Sequence, residues 1–196
     1  MTAPLPLLSA RFEDALVYAA RLHARQARKG TSVPYVAHLL GVAALVLEDG
    51  GDEDEAIAAL LHDAVEDQGG APTLAAIRGR FGERVAAIVA GCTDSEDVPK
   101  PPWRERKERY LAELATASPA VRRVSVADKL HNARAILADY RQQGEALWAR
   151  FSGGRAGVLW YYRALADLHR TRTGGPLAAE LERVVAALER VAGECG

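Results

Sequence analysis

Apolar residues recur at helical spacing along most of the chain, and this pattern constrains the fold more than any other feature. The first such stretch puts five apolar residues on one face and follows a suitable N-cap, Ser9: Phe12, Ala15, Leu16, Ala19 and Leu22. Alanine, leucine, arginine and glutamate dominate the composition, and all are good helix formers. Strand-like alternation of β-branched residues is hardly present. The sequence therefore predicts an all-α fold.

Turn residues divide the chain into a predicted bundle of about eight to ten helices. The first helix should fade near Lys29–Gly30, and the second should end at Gly50–Gly51. Asp52 and Glu55 resemble a capping box for a third helix that continues through His62, Asp63 and Val65. The remaining helices are predicted at 73–81, 83–91, 103–114, 119–140, 157–171 and 176–192, with a loop over 94–102. Neither repeats nor composition shifts divide the chain, so we expect a single domain over 1–196, with its core at about 10–172 and a C-terminal helix at about 176–192.

Charge and cysteine content exclude several classes of function. The formal net charge is -1, which argues against a broad nucleic-acid surface. Cys92 and Cys195 are too far apart for a disulfide framework or a clustered zinc motif, so a reducing cytoplasm is the simplest compartment. The first residues do not resemble a signal peptide, and no apolar run could span a bilayer. We expect no membrane partner, and the sequence leaves the oligomeric state open.

A histidine–aspartate doublet carries the strongest chemical signal. His62 and Asp63 lie in an apolar stretch, where an ionised carboxylate is costly unless it is paired or binds a cation. Glu66 lies four residues after His62, so on a continuous helix it would share their face, and Asp67 follows it. A solvated acidic turn at a helix end is the alternative interpretation.

Further ligands must come from other segments, because one helix cannot surround an ion. His38 and Asp128 both lie within apolar stretches. Taken alone, His38 would more often be a core histidine, and Asp128 could pair with Lys129 or Arg122. Two imidazoles and two carboxylates suit Mn²⁺, Zn²⁺, Fe²⁺ or Co²⁺ better than Cu(I) or Ca²⁺. An ion held in this way would lower the pKa of a bound water and polarise a phosphoryl oxygen.

Five ordered segments resemble the HD hydrolase domain of RelA/SpoT proteins, and most of all the single-domain alarmone hydrolases. The segments are Arg28-Lys29, Pro34-Tyr35 with His38, His62-Asp63, Glu66-Asp67, and Asp128 with Asn132. The resemblance covers about residues 10 to 170. It implies an HD-type helical fold, Mn²⁺, and hydrolysis of guanosine tetra- or pentaphosphate at the 3′ position to pyrophosphate and GDP or GTP. The synthetase and regulatory domains of the long enzymes have no counterpart here, so the expected activity is degradative.

The resemblance also implies roles for individual residues. The implied metal ligands are His38, His62, Asp63 and Asp128, and the implied catalytic acids, which orient or deprotonate water, are Glu66 and Asp67. Implied substrate contacts are Arg28, Lys29, Asn132 and Tyr161, with Tyr162 as an alternative to Tyr161. Lys107, on a basic helix, could reach a distal phosphate.

Each of these substrate contacts also has a purely structural interpretation. Arg28 and Lys29 would also be favoured by the dipole at a helix C-terminus. Asn132 could be an ordinary polar helix residue, Tyr161 a core aromatic, and Lys107 part of a solvated face.

Two other functions remain open from sequence. The same site could act on another nucleotide, such as an adenosine analogue of the alarmone or the 2′-phosphate of NADPH. The chain could instead be a nucleotide-binding sensor without turnover, although the presence of both Glu66 and Asp67 argues against that.

Overall fold

The computed structural model describes residues 8–94, 99 and 101–193. Ten α-helices and one 3-10 helix account for most of these residues. An isolated bridge between Ala27 and Pro34 is the β-type pairing within the described ranges. The prediction of an all-α fold with eight to ten helices is confirmed. The chain separates into two compact units, Met1–Glu96 and Asp97–Gly196, called here the first and second units.

The first unit is built around one buried helix. Its helices are α1 (Ala10–Leu22), α2 (Val36–Glu48), α3 (Glu53–Leu61), α4 (Ala64–Asp67), α5 (Ala71–Phe81) and α6 (Glu83–Cys92). Helix α3 packs against α1, α2 and α6. All six residues from 56 to 61 are apolar and fully buried. A helix that is apolar on every side has to lie inside the core, and α3 therefore fixes the position of whatever follows its C-terminus.

Two predicted helix starts in the first unit are confirmed. The Ser9 side chain accepts a hydrogen bond from the Arg11 amide at the start of α1. At the start of α3, the Glu55 amide donates to Asp52 over 3.1 Å, and the Asp52 amide donates to the Glu55 side chain over 2.9 Å. This reciprocal capping box satisfies two amides that would otherwise lack partners.

The predicted end of the first helix is wrong. Helix α1 ends at Leu22 rather than near Lys29, and His23 is its C-cap. The chain then turns back on itself, because the Arg28 amide donates to the Val33 carbonyl over 2.8 Å beside the Ala27–Pro34 bridge. The segment that follows α1 is therefore a short extended turn leading into α2.

The predicted continuous third helix is also wrong. Helix α3 ends at Leu61, His62 and Asp63 form a turn, and α4 begins at Ala64. In a continuous helix the Ala59 carbonyl would accept from the Asp63 amide. Here that carbonyl lies 2.8 Å from Nδ1 of the His62 ring, so a side chain competes for the helical acceptor at the break.

The second unit is organised by its longest helix. Its elements are α7 (Trp103–Thr116), α8 (Pro119–Gln143), the 3-10 helix (Gly144–Arg150), α9 (Gly154–Arg172) and α10 (Gly175–Gly193). The 25-residue α8 packs against α9, α10 and the 3-10 helix. The 3-10 helix was not expected from the sequence. The loop predicted over 94–102 lies partly outside the described residues, and none of the described helices could cross a membrane.

Candidate functional site

The break between α3 and α4 orients His62. The residue is the C-cap of α3 and is almost fully buried. Its Nδ1 lies 2.8 Å from the Ala59 carbonyl oxygen. Since a carbonyl can only accept, Nδ1 carries the proton and Nε2 presents its lone pair. A ring held through one nitrogen in this way is oriented to ligate a metal through the other.

His38 and Asp63 converge on the same point within the first unit. Oδ2 of Asp63 lies 3.0 Å from Nε2 of His62 and 3.6 Å from Nε2 of His38. The two imidazole rings meet edge to face, with centroids 5.2 Å apart. Atoms that each lie about 2 Å from a shared ion are separated from one another by roughly 3 Å. The spacing of these two nitrogens and one oxygen therefore fits a transition-metal ion.

Tyr35, which the sequence interpretation gave no role, holds Asp63 in place. Its hydroxyl donates to Asp63 Oδ2 over 2.6 Å, and its ring packs edge to face against His38 at 5.6 Å. Tyr35 is the N-cap residue of α2 and lies three residues before His38. That one-turn spacing from a candidate ligand was the available signal, but the contact with Asp63 spans 28 positions and has no sequence pattern.

The predicted acid pair lies on the short helix α4. Glu66 is half-buried and Asp67 is exposed. The break in the helix means that Glu66 does not continue the helix face of α3, as the sequence interpretation had assumed. Gln26 donates through Nε2 to Asp67 Oδ2 over 2.7 Å.

The pKa of Asp67 is raised above its ordinary value. The main cause is partial loss of hydration around the carboxylate, despite the overall exposure of the residue. The nearby carboxylates Asp63 and Glu66 add to the rise, whereas the Gln26 hydrogen bond opposes it. Asp67 is therefore more basic than a free aspartate, which suits a group that takes a proton.

The predicted phosphate contacts Arg28 and Lys29 lie on the turn between α1 and α2. The Arg28 backbone is held by Val33 and by the Thr31 amide, which donates to the Arg28 carbonyl over 3.0 Å. Lys29 is exposed and Arg28 is half-buried. The same turn carries Gln26 at its start and leads into Tyr35, so the two cations share a segment with the residues that contact the acids.

In the second unit, Asp128 is buried and held by its own helix. Its Oδ1 accepts from Asn132 over 2.5 Å and its Oδ2 accepts from Lys129 over 2.7 Å. Burial alone would lower the pKa of Lys129, but the Asp128 carboxylate, with smaller contributions from Tyr161 and Tyr110, holds it well above its usual range. Lys129 is therefore a positively charged partner of the Asp128 side chain.

Tyr161 belongs to an aromatic cluster in the second unit. The Trp103 ring meets it edge to face at 6.2 Å, and Tyr162 does so at 5.9 Å. Lys107 Nζ lies 5.0 Å from the Tyr161 ring centroid, within the range of a cation–π contact. Tyr161 and Tyr162 are both buried, which agrees with the alternative that they are core aromatics.

Taken together, the helices and the His38–His62–Asp63 cluster define a class: all-helical proteins with a histidine–aspartate cluster that could hold a metal ion. The family model described as "HD domain" matches residues 15–159, which is well over half of the chain. The chain belongs to the HD domain family.

Within the HD domain family, the chain is similar to pyrophosphohydrolases of known name and to a solved structure. The guanosine-3′,5′-bis(diphosphate) 3′-pyrophosphohydrolase MESH1 of Homo sapiens is 37% identical over 129 residues, covering 64% of this chain and 69% of the human protein. The corresponding enzyme of Aquifex aeolicus is 34% identical over 131 residues, but they span 67% of this chain and only 18% of that longer protein. The solved structure of a metazoan SpoT orthologue that hydrolyses ppGpp superposes with a TM-score of 0.74 at 28% identity, covering 98% of this chain and 99% of the other. The fold is therefore the HD-type helical fold expected from the sequence.

Proposed function

We propose that the protein is a Mn²⁺-dependent guanosine 3′,5′-bis(diphosphate) 3′-pyrophosphohydrolase, which releases pyrophosphate and leaves GDP or GTP. The HD family match and the pyrophosphohydrolase relatives identify the chain as a metal-dependent hydrolase with a small nucleotide substrate. The observation that carries the proposal is the convergence of His38 Nε2, His62 Nε2 and Asp63 Oδ2 around one point. Mn²⁺ accepts this nitrogen–oxygen donor set.

The proposed ligands are His38, His62, Asp63 and Asp128. Three of them, His38, His62 and Asp128, are buried and each offers one ligand atom. Asp63 supports the set because its oxygen lies beside both histidine nitrogens. A divalent ion held there would supply Lewis-acid activation of water and of a phosphoryl oxygen. We also propose that residues 1–196 act as one HD phosphohydrolase domain, since the family match runs from 15 to 159.

Glu66 and Asp67 are the proposed acceptors of the proton from the attacking water. The new bond joins the water oxygen to the phosphorus that carries the ribose 3′-oxygen, and the bond from that phosphorus to the 3′-oxygen breaks. One water proton passes to a carboxylate, and the 3′-oxygen leaves as a hydroxyl after gaining a proton from solvent. The raised pKa of Asp67 supports its part in this transfer.

The substrate's charge accounts for the remaining proposed roles. A bis-pyrophosphate nucleotide is highly anionic, and Arg28 and Lys29 offer two cations on one turn, of which the Arg28 guanidinium can also stack on a base. Asn132 donates to the proposed ligand Asp128, and Lys107 lies over the Tyr161 ring in a cation–π pair. We propose these as the substrate contacts.

The test is product analysis with Mn²⁺-loaded protein and three nucleotides: guanosine tetraphosphate, its adenosine analogue and NADPH. We expect pyrophosphate and GDP from the first. Asp63→Asn should abolish that release, while Asp14→Asn, a change at an exposed position of α1, should leave it unchanged. Phosphate from NADPH alone would move the activity to another substrate. Binding of guanosine tetraphosphate without any product would point to a sensor.

A further inference from the structure

Hydrogen bonds hold both the backbone amide and the backbone carbonyl of Gln26. It follows α1, and its amide donates to the His23 carbonyl over 3.0 Å. Its own carbonyl accepts from the Tyr35 amide over 2.9 Å. The residue is therefore tied to the end of α1 and to the start of α2, the helix that carries His38.

The Gln26 side chain has one orientation that satisfies its neighbours. Its Oε1 lies 2.7 Å from Nδ1 of His23 and accepts from Gln68 Nε2 over 2.6 Å. These two contacts use both lone pairs of the amide oxygen. The NH₂ group must then point the other way, where it donates to Asp67 Oδ2 over 2.7 Å.

His23 locks this arrangement from the buried side. An amide oxygen can only accept, so His23 must carry its proton on Nδ1. The ring is almost fully buried and stacks on Tyr35, with centroids 5.2 Å apart and planes 16° apart. His23, which the sequence interpretation left without a role, thus fixes that the NH₂ group of Gln26, and not its oxygen, points to Asp67.

Resting on the proposed function, we propose that Gln26 is a positioning residue for the catalytic step. It holds Asp67 Oδ2 through a group that can only donate, and so leaves Oδ1 as the oxygen that receives the water proton. Loss of the Gln26 side chain would remove the hydrogen bond that holds Asp67 Oδ2.

The first test compares kinetics and metal content for Gln26→Leu and Gln26→Glu. Leucine keeps the bulk without the donor, and glutamate replaces the donor with a second carboxylate. We expect kcat to fall by ~10-fold to ~100-fold, as when supporting contacts of a site are lost, with KM within about twofold and Mn²⁺ content unchanged. Gln142→Leu makes the same substitution at an exposed position of α8 and should match the wild type. A wild-type kcat in Gln26→Leu, together with an impaired Asp67→Asn, would overturn the proposal.

A double-mutant cycle separates positioning from general loss of structure. If Gln26 acts through Asp67, then Gln26→Leu should change kcat by less than about twofold when Asp67→Asn is already present. An undiminished effect in that background would mean that Gln26 supports the fold rather than Asp67. Absence of pyrophosphate release by the wild type would instead contradict the proposed function.

An NMR measurement tests the contact without turnover. The side-chain amide resonance of Gln26 should shift in Asp67→Asn and stay in place in the exposed control Asp14→Asn. An unshifted resonance would overturn the inference whatever the substrate of the enzyme is.

Discussion

The two segments that carry the proposed aspartate ligands are built in opposite ways. Asp63 lies at a break between α3 and α4, and the hydroxyl that donates to it, that of Tyr35, belongs to another part of the first unit. Asp128 lies inside the uninterrupted α8, and its partners Lys129 and Asn132 lie on the same helix. A ligand at a break depends on distant residues for its orientation, whereas a ligand on a helix can be oriented by neighbours in sequence.

Loss of the ligand at the break should have the largest effect. Asp63→Ala removes the oxygen beside both histidine nitrogens, so Mn²⁺ content and pyrophosphate release should fall together. The loss of activity should exceed the ~10-fold to ~100-fold typical of changes outside the ligand shell. Metal analysis by mass spectrometry and a product assay measure both quantities. Full metal content in Asp63→Ala would remove Asp63 from the ligand set.

Substitution of Glu66 on α4 should lower catalysis without lowering metal binding. Glu66→Gln keeps the size of the side chain but removes its basicity, so kcat should fall by ~10²-fold or more while Mn²⁺ content stays at the wild-type level. Steady-state kinetics and metal analysis on the same preparation provide the check. An unchanged kcat would exclude Glu66 from proton transfer and leave Asp67 as the candidate.

Substitutions of the residues that hold the two aspartates should have intermediate effects on Mn²⁺ binding. The effect should be larger for the distant partner of Asp63 than for a local partner of Asp128. Tyr35→Phe keeps the ring against His23 and His38 but loses the hydrogen bond to Asp63, and should weaken Mn²⁺ binding by ~10-fold. Asn132→Leu should weaken it less, because Lys129 still pairs with Asp128.

Calorimetric titration of Mn²⁺ into each variant measures this difference. Tyr18→Phe is the matched control, since the Tyr18 ring packs on Phe81 away from these contacts. Equal losses in Tyr35→Phe and Asn132→Leu would contradict the distinction between distant and local support.

The substitution with the smallest expected effect on activity at neutral pH is at His169, a residue of α9 that contacts α8. His169 is fully buried, and its Nε2 lies 3.4 Å from the hydroxyl oxygen of Ser125, one turn before Asp128. Burial first, then the positive charges of Lys129 and Arg122, lowers the pKa of His169 to about 3, from 6.5. Between pH 6.5 and pH 3 the unfolded chain therefore binds up to one more proton at His169 than the folded chain does. The contribution of neutral His169 to the free energy of unfolding is complete above pH 6.5 and is lost as the pH falls toward 3.

The slope from this single group is at most about 1.4 kcal/mol per pH unit. Urea unfolding at a series of pH values should show that His169→Gln flattens the loss between pH 6 and pH 4, while leaving kcat at pH 7 close to that of the wild type. An unchanged slope would mean that other groups cause the acid sensitivity.

Local signals account for what could be predicted from the sequence. The caps at Ser9 and Asp52, the helical periodicity and the turn residues are short-range features, and the structure confirms the all-α fold and the two helix starts that the caps predict. The chemical nature of the candidate cluster was also predictable, because histidine and acid are unusual in apolar stretches.

Long-range contacts account for what was missed. The break after Leu61 depends on the His62 ring competing for a backbone carbonyl, which periodicity cannot show. The role of Tyr35 rests on a contact across 28 positions, and that of Gln26 on one across 41 positions. Nothing in the local sequence distinguishes Gln26 from a surface glutamine.

We propose above all that His62 and Asp63, on the turn between α3 and α4, share a metal ion with His38 of α2. Anomalous diffraction at the manganese edge from Mn²⁺-loaded crystals tests it most directly. We expect one peak about 2 Å from Nε2 of His38, Nε2 of His62 and a carboxylate oxygen of Asp63. A peak elsewhere, or one that lacks either histidine or Asp63, would contradict it.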